Sequence, residues 1–149
     1  YFDDKDDLIA QAVWQYKSAC ARRYDPIVAT ATSPDEFVTR LTAEMAKTMS
    51  TETDMHRLWY DLRNQSLFGS GFSPTIIAID DLLADMVFAI ISRYAELSDA
   101  DVRVGRDEAY ALFDGVFLGA LIAFLRGDLD APADLRARAA RLLASATAA

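Results

Sequence analysis

Apolar residues recur at helical spacing along nearly the whole chain, and this periodicity constrains the fold more than any other feature of the sequence. Spacings of three and four residues place side chains on one face of an α-helix, whereas a half-buried strand requires strict alternation. Proline and glycine separate the periodic segments and do not interrupt alternating ones. The sequence therefore predicts an all-α fold.

Six helices are predicted, and two of them begin at clear start signals. The segment Ser33-Pro34-Asp35-Glu36 combines a hydroxyl N-cap, a proline in the first turn and an acid three residues after the cap. Ser73-Pro74 begins another helix in the same way. Pro26 disfavours helical geometry at Asp25 and is expected to end the first helix. The predicted helices cover residues 4–24, 33–49, 53–67, 73–97, 106–126 and 131–146.

Length and charge narrow the class of protein. The 149 residues, 52% of them apolar, suffice for one domain with its own core. The formal net charge of −8 repels phosphate, so this chain is not expected to hold DNA by itself. Its single cysteine excludes an internal disulfide and is consistent with a reducing cytoplasm.

Neither a membrane span nor a leader is predicted. The longest charge-free apolar run covers residues 115–125, well short of the roughly 18 residues that span a bilayer. The chain begins with tyrosine and shows no basic segment followed by an apolar one, so we expect a fragment of a longer protein.

The fifth predicted helix carries two contrasting stripes. Small residues lie on one side and aromatic residues on the other: Ala111, Gly115, Gly119 and Ala123 against Tyr110, Phe113, Phe117 and Phe124. A glycine inside a helix costs about 1 kcal/mol relative to alanine. Two glycines on one face therefore indicate close approach of another helix.

The opening segment Tyr1-Phe2-Asp3-Asp4-Lys5-Asp6-Asp7-Leu8 resembles the Tyr-Phe-x-x-Lys-x-x-Leu signature that ends the helix-turn-helix head of TetR-family regulators. The number and order of the predicted helices, Leu58-Trp59, and Asp114-Gly115 in the penultimate helix also resemble that family's six-helix regulatory domain. On this resemblance, residues 1–8 are the end of the head, and residues 9–149 form a ligand-binding and dimerisation domain.

The resemblance implies a homodimeric transcription factor, a repressor that a small hydrophobic effector releases from DNA. A three-helix head upstream would bind the DNA, with Tyr1 and Lys5 at the family's phosphate-contacting positions, although the acids around them depart from such a role. The last two helices would pair with those of a second copy in a four-helix interface. The residues expected in this interface are Ala111, Gly115, Gly119, Ala123, Leu135, Ala139, Leu142 and Leu143.

By the same resemblance, the first, third, fourth and fifth helices enclose a ligand cavity. Pockets for small ligands are mostly apolar with a few placed polar groups. The expected ligand-binding residues are Tyr16, Cys20, Met55, His56, Trp59, Leu62, Arg63, Asp80, Met86, Ile90, Phe113 and Phe117. The alternative for the apolar members is plain core packing. Arg63 is either a polar handle or a side chain that reaches solvent, and His56 is more often a hydrogen-bonded core or rim residue than a metal ligand.

Two acids fall among apolar neighbours on their helices. A carboxylate buried there needs a partner. For Asp80 the partner is a cationic effector, Arg63 or a backbone N–H, and an internal partner is favoured. For Asp114 we expect a structural hydrogen bond.

An enzyme is not expected. A carboxylate-bridged di-metal bundle requires paired Glu-x-x-His motifs, and the chain has one histidine and no such motif. No cofactor or metal is predicted. The remaining rival is a helical dimerisation module without a ligand.

Overall fold

The computed structural model describes residues 5–69 and 73–149, and these residues form the predicted all-α fold. The elements are α1 (Lys5–Arg22), α2 (Asp25–Thr30), α3 (Pro34–Thr51), α4 (Thr53–Gln65), α5 (Pro74–Leu97), β1 (Asp101–Val102), α6 (Arg106–Leu125), α7 (Ala131–Ser145) and β2 (Thr147–Ala148). The two short strands β1 and β2 pair antiparallel, with Asp101 opposite Ala148.

The two predicted helix starts are confirmed at α3 and α5. The Ser33 hydroxyl accepts a hydrogen bond from the Glu36 backbone N–H at 3.1 Å, and the Ser73 hydroxyl accepts one from the Ile76 N–H at 3.3 Å. Each cap satisfies one of the N–H groups that a helix start leaves free. The local sequence therefore determines where both helices begin.

The expectation for Asp25 is wrong. The first helix ends at Arg22, and Asp25 and Pro26 form the first turn of the short helix α2. A proline is tolerated in a first turn because its missing N–H has no partner there in any case. Pro26 thus starts a new helix after a turn.

The core lies where α5 packs against α1 on one side and α6 on the other, while α7 packs across α3 and α6. Its largest fully buried side chains include Trp59 of α4, Phe37 of α3 and Ile91 of α5. The bundle is therefore closed by residues from every long helix.

Much of α6 faces outward. By length and composition alone, this helix is long and apolar enough to cross a membrane. Of its apolar 18-residue stretch, 22% is buried inside the chain. Ala111, Gly115 and Gly119 are exposed, and a Cβ added at either glycine would meet no atom within 4 Å. Within the described residues, then, no other helix makes the close approach that the glycines suggest.

The predicted interface residues of α7 are mostly internal. Leu135, Ala139 and Leu143 are each 0% exposed, and Leu142 is partly buried against the same core. These side chains cover the apolar faces of α3 and α6 in their own chain. Assigning the first three to a dimer interface was therefore wrong, because the bundle needs them for its own core. Ala123 of α6 is likewise partly buried against the core.

Candidate ligand-binding site

A cavity of about 80 Å³ lies among five helices of the bundle. Helix α1 contributes to one side and α6 to another, with α3, α4 and α5 completing the wall. The wall is mainly apolar, with a small number of polar groups. It is formed by Lys17, Cys20, Tyr24, Met45, Thr48, His56, Trp59, Tyr60, Leu83, Met86, Val87, Ile90, Tyr110, Phe113, Asp114 and Phe117.

The structure places seven of the sequence-predicted ligand residues in this wall: Cys20, His56, Trp59, Met86, Ile90, Phe113 and Phe117. The other five do not line it. Leu62 is buried in the core and Met55 is partly buried, while Tyr16, Arg63 and Asp80 are engaged in polar contacts beside the cavity.

Several wall residues were not predicted, and Lys17 is the most consequential. It lies four residues after Val13 and three before Cys20, and is therefore on the buried face of α1. That spacing was the available signal. The contribution of α3, through Met45 and Thr48, was also not predicted.

Lys17 begins a chain of hydrogen bonds that leads from the cavity to the surface. Its ammonium can only donate, so it donates to Nδ1 of His56 at 3.0 Å, which leaves the imidazole proton on Nε2. Nε2–H then donates to the Thr48 hydroxyl at 3.0 Å, and that hydroxyl donates to the Glu52 carboxylate at 3.2 Å. Glu52 is paired in turn with Arg23.

Burial shifts the protonation equilibria of this chain. Desolvation lowers the pKa of Lys17 to about 8. Desolvation, and next the neighbouring Lys17 charge, lower the pKa of His56 to about 3. The hydrogen bond from Arg23 lowers the pKa of Glu52 to about 2. At neutral pH the arrangement is therefore an ammonium, a neutral imidazole and a carboxylate in sequence.

A second polar network lies on the α4–α6 side. Asp114 accepts hydrogen bonds from the Tyr60 hydroxyl and from Arg63, both at 2.9 Å. Asp80 accepts one from the Tyr110 hydroxyl at 2.7 Å and lies 3.8 Å from Arg63. Burial, and then the Asp114 charge, raise the pKa of Tyr60, which stays a donor. Internal partners thus satisfy both acids, and Arg63 is among the partners considered for Asp80.

Two further predicted positions are those of the expected phosphate contacts. Lys5 is exposed at the start of α1, and Tyr1 lies outside the described residues. Within residues 5–69 and 73–149, no three His, Cys, Asp or Glu side chains are grouped to hold a metal ion.

Comparison of the chain with models of known protein families, with curated proteins and with solved structures finds no match. The function is therefore inferred from the sequence and from the geometry of the cavity.

Proposed function

We propose that this chain is the effector-binding and dimerisation domain of a TetR-like transcriptional regulator, and that the cavity between α1, α3, α4, α5 and α6 is its effector site. The observation that carries the proposal is the cavity itself, which combines an apolar wall with a few directed polar groups. The TetR-like opening segment supports the class of protein.

DNA binding belongs to a segment upstream of Tyr1 in this proposal. The chain's net charge of −8 leaves that task to a basic head, with Tyr1 and Lys5 contributing phosphate contacts in the intact protein. Effector binding then shifts the balance between dimers that fit the operator and dimers that do not. A helix-turn-helix pattern in the upstream coding sequence would support this assignment, and its absence would remove the transcriptional role.

The proposed dimer face is the exposed side of α6 with the adjoining outer side of α7. Large apolar side chains flank Gly115 and Gly119 on α6, where Leu112, Ile122 and Leu125 are 42%, 41% and 47% exposed. Small exposed residues on α7, including Ala137 and Ala144, continue this surface. A two-fold axis would bring the same surface of a second copy onto it. The close approach that the glycines permit would then occur between chains.

The rival is a dimerisation module without a ligand, and the cavity volume is the observation that favours it. An apolar cavity of about 150 Å³ holds one benzene molecule. The present cavity of about 80 Å³ is smaller, so a ligand must displace flexible side chains as it enters. Met45 and Met86 of the wall have the unbranched side chains that adapt most easily.

Binding of a neutral apolar probe separates the two functions. Trp59 lines the cavity and Trp14 does not, so a Trp14→Phe background reports on the cavity through Trp59 fluorescence. We expect saturable binding of hexan-1-ol at one molecule per chain. The matched variant Val87→Phe, which enlarges a wall residue, should abolish it while the chain stays folded by circular dichroism. Absence of saturable binding of hexan-1-ol, and of any co-purifying molecule in native mass spectrometry, would favour the module without a ligand.

A further inference from the structure

Lys17 is a buried cation beside the cavity with no anion paired to it. The residue is 5% exposed. Its polar partner is the neutral imidazole of His56, and its ammonium lies 5.7 Å from the centre of the Tyr16 ring. Within residues 5–69 and 73–149, no carboxylate forms an ion pair with it. An ammonium in such surroundings is costly unless an anion reaches it.

The other cation of this region, the partly buried Arg63, is in the opposite situation. It pairs with Asp114 at 2.9 Å and with Asp80 at 3.8 Å, so its charge is met inside the chain. Asp114 also lines the cavity, but Arg63 and Tyr60 occupy its two oxygens. A cationic ligand would therefore find no free carboxylate there, whereas an anionic ligand would find Lys17.

The rest of the wall is suited to an apolar body. Met86 and Ile90 come from α5, and Phe113 and Phe117 come from α6. The Phe117 ring packs edge to face on His56, with 4.8 Å between centroids, and so joins the apolar wall to the polar group that holds Lys17. The cavity therefore has a charged group at one end and an apolar wall elsewhere, which suits an amphipathic ligand.

We propose that the cavity binds a small monoanion with an apolar body, such as a short-chain carboxylate, whose anionic group accepts hydrogen bonds from the Lys17 ammonium. This inference rests on the proposed function, because it names the class of effector for the same site. His56 is a positioning residue, since its Nδ1 holds the ammonium in place through the bond at 3.0 Å. The cationic effector considered for Asp80 is set aside, because Asp80 already has Tyr110 and Arg63 as partners.

The test compares head groups on one six-carbon skeleton. Hexanoate, hexanamide, hexan-1-ol and hexylamine are titrated into the chain by calorimetry. A charge-assisted hydrogen bond in a dry site should make hexanoate bind at least about tenfold more tightly than hexanamide, with hexylamine the weakest. Lys17→Met should remove the preference for hexanoate over hexanamide. Lys47→Met, at an exposed position of α3, is the matched control and should bind like the unaltered chain.

A second measurement needs no variant at Lys17. The chain contains three lysines, Lys5, Lys17 and Lys47, so their side-chain signals are separable in protein labelled with carbon-13 lysine. Hexanoate should shift the Lys17 Cε signal and leave those of the two exposed lysines in place. This readout decides the matter if Lys17→Met fails to fold.

The outcomes separate the two proposals. If hexan-1-ol and hexanamide bind but hexanoate binds no more tightly, or leaves the Lys17 signal unmoved, the anionic ligand is excluded and the cavity remains an effector site. If none of the four compounds binds, both the effector site and the anionic ligand are excluded.

Discussion

Lys17 and His56 share one hydrogen bond, and the charge of Lys17 influences the protonation of His56. Burial alone disfavours the imidazolium, and the ammonium 3.0 Å away disfavours it further. The pair is therefore held as one charge and not two. This explains how two basic side chains coexist in the bundle interior.

This coupling predicts the titration of His56, the only histidine in the sequence. With its pKa lowered to about 3, its Cε1–H resonance should not move between about pH 8 and about pH 5, where an ordinary histidine titrates. In Lys17→Met the midpoint should rise, because the second largest cause of the low pKa is removed. Lys47→Met should leave the resonance unchanged. A midpoint near 6.5 in the unaltered chain would contradict the described burial.

The Arg63 network predicts an unequal cost for two similar substitutions. Asp114→Asn removes the ion pair of Arg63 at 2.9 Å and leaves the longer one to Asp80, so the free energy of unfolding should fall by about 2 kcal/mol. Asp85→Asn removes a carboxylate that pairs with Arg106 on the exposed surface, and should cost less than about 1 kcal/mol. Urea unfolding of both variants measures the difference. Equal costs would show that the buried network adds no stability of its own.

For individual residues, the sequence showed which side chains require a polar partner more reliably than it showed which residue supplies that partner. Helical spacing put Asp80 and Asp114 among apolar residues, and the requirement for a partner then made Arg63 a candidate for Asp80. Lys17 was missed because a stripe was read from apolar residue types, and a lysine on the same face was passed over. The imidazole that receives it comes from a helix 39 positions away, which spacing on α1 cannot reveal.

Helix α6 has one face that packs inward and one face without a partner in the described chain. Phe113 and Phe117 on the inner face line the cavity, while Gly115 and Gly119 are open to solvent. An added Cβ at either glycine meets nothing within 4 Å. Substitution there therefore tests association without disturbing the chain's own packing.

Gly119→Leu should weaken the proposed dimer, because the larger side chain forces the two copies of α6 apart. The variant should fold as the unaltered chain does. Its dimer should dissociate at concentrations at which the dimer of the unaltered chain persists, as measured by light scattering coupled to size exclusion. Ala43→Leu, at an exposed position of α3, adds the same side chain elsewhere and should leave the dimer intact. A monomer for the unaltered chain at all concentrations would exclude the interface.

The elements themselves were predictable to the extent that their signals are local. Serine caps followed by proline placed the starts of α3 and α5, because the cap hydrogen bond spans only three residues. The helix α2 was missed, because Pro26 can equally end a helix or begin one. The role of α7 was misassigned because its apolar face fits either another chain or its own core, and only the packed structure shows that α3 and α6 occupy it.

For the molecule as a whole, the cavity depends on how five helices meet, and no single segment encodes that. The sequence supplied most of the apolar wall because aromatic and large aliphatic residues on inward faces must lie near the centre of a bundle. It did not supply the cavity's volume, the part that α3 plays, or the pairing of β1 with β2 across the last third of the chain. These features arise from contacts between residues far apart in sequence.

Buried titratable groups make the stability of the whole molecule depend on pH, and the signs can be worked out. His56 and Glu52 have lowered pKa values in the folded chain, so the unfolded chain binds more protons below about pH 6.5 and stability is lost as the pH falls. Lys17 has a pKa of about 8 when folded and 10.5 otherwise, so between these values the unfolded chain again binds more protons and stability rises with pH. Burial raises the pKa of Tyr16, Tyr60 and Tyr110, which removes stability above about pH 10 as these groups ionise in the unfolded chain.

The last prediction isolates the Lys17 contribution by subtraction. Between about pH 7.5 and about pH 9.5, the free energy of unfolding of the unaltered chain should rise by about 2 kcal/mol relative to that of Lys17→Met, because His56, whose pKa the substitution changes, is neutral in both proteins over this range. Urea unfolding at several pH values measures this difference, with Lys47→Met expected to follow the unaltered chain. Saturating hexanoate should reduce the rise, since an anion at Lys17 favours the ammonium and raises its pKa toward the unfolded value. Parallel curves for the unaltered chain and Lys17→Met would mean that the ammonium is solvated in solution, and the buried cation would no longer account for any ligand preference.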